Sequence, residues 1–218
     1  MIIFDCNGVL VDSEPIAAAV AAQQFTHVGV PLTPESVMHH FLGRRPADMV
    51  AAVEAHIQRK LPAAFGANLA AATLKRFQTE LRAMPHAAHA LTWLREPKCV
   101  ASSSGIDRIR ASLDITGLAR FFEANLFSGS DVPRGKPAPD LFQLAARRMR
   151  VRAAECIVVE DSPAGIAAAA AAGMMPIGFV GGSHAAPNLG SELQAAGART
   201  VIADMRQLRG AIVDLRGW

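Results

Sequence analysis

The chain has little cysteine, and its cysteines are not paired in sequence. Cys6, Cys99 and Cys156 stand far apart among 218 residues, and no CxxC spacing occurs. This argues against a structural zinc site or a redox pair. Each cysteine lies in or beside an apolar run that we interpret as a strand, so we expect small core side chains in a reducing compartment. Cys6 adjoins Asp5, but alternation along a strand should point it away from the face that presents Asp5.

An excess of one charge is also absent. Lysine and arginine total 22 against 19 acidic residues, which gives a net charge of +3. A net charge this small does not indicate the concentrated basic surface that a nucleic-acid binder needs. We interpret the arginines between residues 147 and 152 as the solvated end of a surface helix. We therefore expect no nucleic-acid partner.

Residues 162–183 contain no Asp, Glu, Lys or Arg and so resemble a membrane span in composition. Prolines and glycines interrupt the stretch, however, and a helix followed by a buried strand fits better. The acid at residue 5 also argues against a signal peptide. We expect a soluble, cytoplasmic protein that binds no membrane and is a monomer or a small homo-oligomer.

Apolar residues make up 51% of the chain, enough to bury a sizeable core. Beyond residue 97, apolar strand candidates alternate regularly with helical stretches. This alternation predicts an α/β fold with a doubly wound, Rossmann-like parallel sheet and helices on both faces. Strands are predicted over 1–5, 98–102, 124–128, 155–160, 175–180 and 199–202. Helices are predicted near 105–115, 138–150, 163–172 and 204–215.

Residues 15–84 break this alternation, because they contain no convincing strand. Helices are predicted there near 15–28, 34–41, 46–59 and 62–82. The sequence therefore predicts a helical domain over 15–84, inserted into a Rossmann-like core formed by 1–14 and 85–218.

Two groups of polar residues follow the first predicted strands of the core. Asp5 ends the strand over 1–5, where an acid can serve as a nucleophile, a metal ligand or both. The run Ser102–Gly105 ends the strand over 98–102. Hydroxyls and backbone amides at such a point form either an anion cradle or an ordinary helix N-cap.

Two further groups occur later in the chain. The prolines of the 134–140 segment fix a loop that holds Lys136, which either neutralises a phosphoryl group or is simply solvated. Glu160 and Asp161 end another apolar strand, and paired carboxylates suit Mg²⁺. Alternatively, Asp161 or Ser162 caps the next helix, and both roles can hold. All four groups should converge on one crevice, because the carboxyl ends of parallel strands share one edge of a sheet.

These groups in this order, together with Asp12-Ser13-Glu14-Pro15, resemble the haloacid dehalogenase superfamily over essentially the whole chain. The similarity is to its branch of sugar phosphatases and beta-phosphoglucomutase-like enzymes with a small helical cap. The resemblance implies a Mg²⁺-dependent phosphatase that acts on a small phosphorylated metabolite, a sugar phosphate in particular. The reaction would proceed through an aspartyl phosphate.

The resemblance also implies roles for individual residues. Asp5 would be the nucleophile and, with the carboxylate of Asp161 and the backbone carbonyl of Asn7, would hold Mg²⁺. Glu160 would support the metal through water.

Other positions would bind the phosphoryl group. Ser102 and the amide that follows it would bind the phosphoryl oxygens, with Ser103 and Ser104 as further substrate contacts. Lys136 would hold Asp5 and the phosphoryl group together against their mutual repulsion.

The cap is expected to select the substrate through the loop over residues 41–49. Gly43 lets this loop approach closely, and Arg44 or Arg45 would bind an anionic or hydroxylated leaving group. For each arginine, a solvated position at the start of a surface helix is the alternative. Glu14 is a further candidate for substrate contact.

Entry to the cap near Ser13-Glu14 and return near Pro85 would form its hinge. The relatives usually have glycine after this proline, whereas this chain has His86. We interpret all seven histidines as structural or solvated, because no HExxH motif occurs.

Asn7 is the departure from the family pattern. The family's phosphatases carry aspartate here, which protonates the leaving oxygen and then activates water. An asparagine side chain cannot exchange a proton at neutral pH, and losing such a group typically costs roughly 10²–10⁴-fold in rate. The chain is therefore an engineered variant, a natural slow phosphatase or phosphoryl carrier, or a phosphometabolite-binding protein without catalysis. A phosphomutase is a further alternative, although it would need the same missing acid.

Overall fold

The computed structural model describes residues 1–217. The six strands are β1 (Ile2–Phe4), β2 (Lys98–Ser102), β3 (Leu126–Ser128), β4 (Ile157–Glu160), β5 (Met175–Phe179) and β6 (Thr200–Ile202). The α-helices are α1 (Glu14–His27), α2 (Pro34–Phe41), α3 (Pro46–Ile57), α4 (Phe65–Glu80), α5 (Ala87–Trp93), α6 (Ile106–Ile115), α7 (Asp140–Met149), α8 (Pro163–Ala171), α9 (Leu189–Ala195) and α10 (Leu208–Arg216).

The strands form one parallel sheet in the order β3-β2-β1-β4-β5-β6. The predicted α/β fold is confirmed. β1 lies near the centre, where Phe4 is in register with Val100 of β2 and Val159 of β4. Because the central strands end together, the residues that follow them lie at one edge of the sheet.

The central strand is buried on both faces, which explains its wholly apolar sequence. Ile2 and Phe4 belong to one hydrophobic cluster and Ile3 to another, as alternation along a strand requires. All three side chains have no exposed surface. Burying each stabilises the fold by about 1.5–3 kcal/mol.

Helices α1 to α4 follow β1 and build a hydrophobic cluster of their own. The rings of Phe25 and Phe65 meet in this cluster at a centroid distance of 4.7 Å. We call α1 to α4 and their connections the helical insertion. Its role as a separate cap stays a prediction.

The structure also differs from the sequence-based expectations in places. α5 and α9 were not expected, and at seven residues each they are too short to show helical periodicity. The helix expected over 204–215 is divided into a 3₁₀ helix at Met205–Gln207 followed by α10. Within residues 1–217, no helix is both long enough and apolar enough to cross a membrane.

The chain returns from the insertion through a left-handed backbone conformation. His86 precedes α5 with a φ of +63°. A side chain at such a position is strained by about 1–3 kcal/mol, and glycine is not. The glycine usual in the relatives therefore matches the backbone that this chain adopts with histidine.

Candidate active site

A buried ammonium group joins two carboxylates at the carboxyl edge of the sheet. The Nζ atom of Lys136 lies 2.7 Å from Oδ1 of Asp5 and also donates to Oε1 of Glu160. It lies 3.5 Å from the backbone oxygen of Ala101. Lys136, Asp5 and Glu160 are all at most 5% exposed. The loop lysine is therefore not solvated but is held beside the carboxylate that ends β1.

Glu160 is fully engaged by its surroundings. Its second oxygen, Oε2, accepts hydrogen bonds from the backbone nitrogens of Asp161 and Ser162, each at 3.0 Å, and from Ser162 Oγ at 2.9 Å. A Cβ atom at Gly165 would clash with the Glu160 carboxylate. Ser162 also caps α8, because its Oγ accepts from Gly165 N at 3.1 Å. Of the two expected caps, Ser162 is the one that forms.

The site carries more negative than positive charge. The side chains of Asp5, Glu160 and Asp161 are buried with Lys136, and full ionisation of these four groups alone would leave two negative charges in excess. Burial raises the pKa of Asp5 to about 8, against the opposing effect of Lys136. Burial likewise raises the pKa of Asp161 to about 7, against the effect of His184. A divalent cation would cancel this excess charge.

Two buried oxygen atoms at the site lack hydrogen-bond partners among residues 1–217. They are Oδ1 of Asn7 and Oδ2 of Asp161. Carboxylate and amide oxygens are the ligands that Mg²⁺ prefers, so the donor set fits this ion. The described chain contains no cluster of three or more His, Cys, Asp or Glu side chains placed to hold a metal. A metal here would therefore need backbone or substrate oxygens besides the carboxylates.

His184 lies against Asp161, a contact that the sequence analysis did not anticipate. Its Nε2 is 3.0 Å from Asp161 Oδ2, without the alignment of a hydrogen bond, and its side chain is 1% exposed. Burial alone would lower the pKa of His184, but the Asp161 carboxylate outweighs it and the pKa is raised. Gly8, at φ +68°, makes the approach possible, since a Cβ there would clash with Asp161. The signal for His184 was its position in the loop that follows β5, five residues beyond Phe179.

The serine run after β2 holds the neighbouring loops together. Ser102 is fully buried, and its Oγ accepts from Ser104 N at 3.3 Å. Ser103 Oγ donates to Gly43 O of the insertion at 2.7 Å. Asn7 Nδ2 donates to Ser104 Oγ at 2.8 Å. The run thus meets both the Asp5 loop and the insertion, and it opens α6 through Gly105.

The insertion touches the core closely at Gly43. This residue has a φ of +75°, and a Cβ there would clash with Ser162 Oγ. The predicted close approach of the 41–49 loop is therefore seen, and only glycine satisfies both the backbone and the space.

Arg45 has a different environment from the expected one. Its Nε and Nη2 atoms form a bidentate pair with Asp48, each at 2.7 Å. Its Nη1 donates to backbone oxygens of the loop after β3, at 3.2 Å to Val132 and 3.4 Å to Gly129. The guanidinium is occupied by these partners and joins the insertion to the core, whereas the neighbouring Arg44 lines the cavity described next.

A cavity of about 290 Å³ lies between the sheet edge and the insertion. Of the predicted site residues, those that line it are Asp5, Asn7, Glu14, Gly43, Arg44, Ser103, Ser104 and Asp161. Those outside its lining are Ser102, Lys136, Glu160 and Arg45. Arg108 on α6 also lines it, although the sequence analysis did not select that residue. The rest of the lining is mostly apolar and comes from the insertion, so the carboxylates face a largely apolar cavity.

This arrangement can be compared with known proteins. The sequence matches the haloacid dehalogenase-like hydrolase family over residues 1–173. The chain belongs to this family. The predicted family membership is confirmed. The phosphatases among the relatives also support the predicted phosphoric monoester hydrolase activity.

Individual relatives of this hydrolase extend over nearly its whole length. It is 33% identical to 6-phosphogluconate phosphatase of Escherichia coli, with 85% of each chain covered. A conserved haloacid dehalogenase-like protein of unknown function from Agrobacterium tumefaciens is 36% identical, with a TM-score of 0.83 over 99% of this chain and 98% of that one. A family hydrolase from Deinococcus radiodurans, solved with bound phosphate and sodium, is 30% identical, with a TM-score of 0.74 over 98% and 94%.

Proposed function

We propose that this hydrolase is a Mg²⁺-dependent phosphatase of a small sugar phosphate and acts through an aspartyl phosphate on Asp5. One observation carries the proposal: Asp5 lines the cavity between core and insertion while Lys136 Nζ lies 2.7 Å from its carboxylate. An ammonium group in that position offsets the repulsion between a carboxylate and a phosphate dianion. The E. coli relative, named for 6-phosphogluconate, supports a phosphorylated sugar derivative as the substrate class.

The carboxylates of Asp5 and Asp161 and the backbone carbonyl of Asn7 would hold Mg²⁺. When bound, the ion would withdraw negative charge from the phosphoryl oxygens and orient them. The excess of buried carboxylates over Lys136 supports this assignment, as does Asp161 Oδ2, which lies 3.0 Å from His184 Nε2 but accepts no hydrogen bond within residues 1–217. Glu160 would act by fixing Lys136 and the start of α8, since both of its oxygens are engaged there.

In the proposed reaction, a carboxylate oxygen of Asp5 forms a bond to phosphorus while the ester P–O bond breaks. The amides of the serine run, which opens α6, would receive the phosphoryl oxygens. Water then attacks the phosphorus, which releases inorganic phosphate and regenerates Asp5. Helices α1 to α4 would act as a cap that excludes bulk water from both steps.

Both steps need a proton carrier that Asn7 cannot provide. Its amide donates to Ser104 and its Oδ1 has no partner within residues 1–217, but neither atom can exchange a proton at neutral pH. The leaving oxygen would have to take its proton from water. We therefore propose slow turnover, with the aspartyl phosphate persisting if it forms.

The test is hydrolysis of a chromogenic phosphate ester and a panel of sugar phosphates, with Mg²⁺ and with excess chelator. We expect slow, Mg²⁺-dependent release of phosphate that the variant Asp5→Asn abolishes. Activity that survives in Asp5→Asn would contradict the assigned nucleophile.

Asn7 favours a second candidate function, a non-catalytic phosphometabolite-binding protein. Tight Mg²⁺-dependent binding of phosphate esters with no turnover, even when an acid is restored at residue 7, would support that alternative. Conversion of one sugar phosphate into its isomer would instead identify a phosphomutase.

A further inference from the structure

Arg108 is a charged side chain with no polar partner in the described structure. It lies in the first turn of α6 and lines the cavity between core and insertion. Its Nε atom is buried, and no hydrogen bond or ion pair joins its guanidinium to another residue within 1–217. Burial lowers the pKa of Arg108, yet an arginine remains charged at any physiological pH. A buried donor of this kind is costly unless something binds it.

The guanidinium is held in place by packing. It lies over the ring of Phe77, with its Cζ atom 4.9 Å from the ring centroid. Phe77 belongs to α4 of the insertion and has no exposed surface. Stacking on an aromatic face leaves the edge of the guanidinium, which carries its N–H donors, free to bind a ligand.

The position of Arg108 relates it to the leaving group. α6 begins directly after the serine run, and Arg108 reaches the same cavity as Asp5. It packs against α4 of the insertion, so it faces the part of a substrate that lies under the helices. The acids that line this cavity are Asp5, Glu14, Asp107 and Asp161. None of them forms an ion pair with Arg108 in the described chain, although the negative charges of Glu14 and Asp5 act on its guanidinium.

We propose that Arg108 is a specificity residue that binds a carboxylate of the substrate at a distance from its phosphate ester. The inference rests on the proposed phosphatase function and narrows its substrate class to phosphorylated sugar acids. A carboxylate matches the fork of guanidinium donors and carries the opposite charge, whereas a hydroxyl group offers only a neutral acceptor. The mostly apolar lining of the cavity strengthens that difference, because it lowers the local dielectric constant.

The test compares two open-chain ligands that differ only at one end, gluconate 6-phosphate and glucitol 6-phosphate. Binding of each is measured by calorimetry with Mg²⁺ present, and inorganic phosphate serves as a third ligand. We expect the parent chain to bind gluconate 6-phosphate about 10-fold to 100-fold more tightly than glucitol 6-phosphate, which is the gain in affinity typical of one charge-assisted hydrogen bond.

The variant Arg108→Met should reduce this preference to within about threefold while leaving glucitol 6-phosphate affinity little changed. Arg108→Lys keeps the charge without the fork and should retain part of the preference. Arg120→Met is the matched control, because Arg120 also lies 4.9 Å over a phenylalanine ring, that of Phe121, but does not line the cavity. This control should bind as the parent does.

Several results would overturn the proposal. Equal affinity of the parent for both sugar derivatives would do so, as would a preference that survives in Arg108→Met. A structural role would instead lower the thermal midpoint of Arg108→Met and weaken both ligands equally. If the parent binds both sugar derivatives with equal affinity, only the role of Arg108 fails. If it binds inorganic phosphate but neither sugar derivative, the proposed sugar-phosphate substrate class fails with it. If it does not bind inorganic phosphate either, the proposed function fails as well.

Discussion

Replacing Asn7 with aspartate restores the proton carrier that the proposed chemistry lacks. The change is nearly isosteric, and the contact between residue 7 and Ser104 can be kept. Asn7 Nδ2 now donates to Ser104 Oγ at 2.8 Å, and after the substitution the hydroxyl can turn and donate to the carboxylate. Backbone atoms of residue 7 are unaffected, so the proposed metal ligand remains.

The expected gain follows from one positioned general acid and base. We expect kcat to rise by roughly 10²–10⁴-fold, which corresponds to about 2.7–5.5 kcal/mol of activation free energy. KM should change less, because the group acts in the transition state. The new carboxylate joins those of Asp5, Glu160 and Asp161, so the metal-free variant should melt at a lower temperature than the parent and recover with Mg²⁺.

The assay is steady-state release of phosphate from the ester panel, with intact mass confirmed beforehand. Asn68→Asp makes the same chemical change on an exposed position of α4 and should leave kcat at the parent value. Asn7→Ala removes the amide without adding an acid and should not raise it. If Asn7→Asp stays at background on every ester with Mg²⁺ present, the phosphatase proposal is refuted and the binding-protein alternative moves ahead.

Three further outcomes are expected. Lys136→Met should abolish turnover and lower the free energy of unfolding by about 3–5 kcal/mol, measured by urea titration, because it leaves two buried carboxylates without their cation; unchanged stability would contradict the buried network. Arg45→Ala should speed protease cleavage within the insertion and raise KM, because it removes the contacts to the loop after β3. The control Arg59→Ala loses one exposed contact to Val28 and should change neither the cleavage rate nor KM. A thiol reagent should modify no cysteine in the native chain and all three after unfolding, since each has no exposed surface; rapid native labelling would show that the packing is wrong.

Much of the site could be predicted because one physical rule governs it. Polar residues directly after apolar strands meet at one edge of a parallel sheet, and this rule placed Asp5, the serine run and Asp161 together. The longer helices were predictable from local signals, since prolines and glycines flank them and alanine runs favour helix.

The remaining features depend on contacts between distant parts of the chain. Arg45 meets carbonyl groups more than 80 positions later, and no local pattern distinguishes it from Arg44. Arg108 stands out only when Phe77 of the insertion is seen packed against it. His184 could have been found by its position in the loop that follows β5, but histidine motifs were sought by their spacing in sequence instead.

The turn after β1 also determines how this protein ages chemically. An Asn-Gly pair deamidates when the glycine nitrogen attacks the asparagine side-chain carbonyl and forms a cyclic imide. Here the Gly8 nitrogen donates to Val11 O at 2.8 Å and the Asn7 side chain is held by Ser104, so the attack requires this turn to open first. The rate of deamidation at residue 7 would therefore depend on how often this turn opens. Where deamidation yields aspartate, residue 7 would become the acid that the family's phosphatases carry.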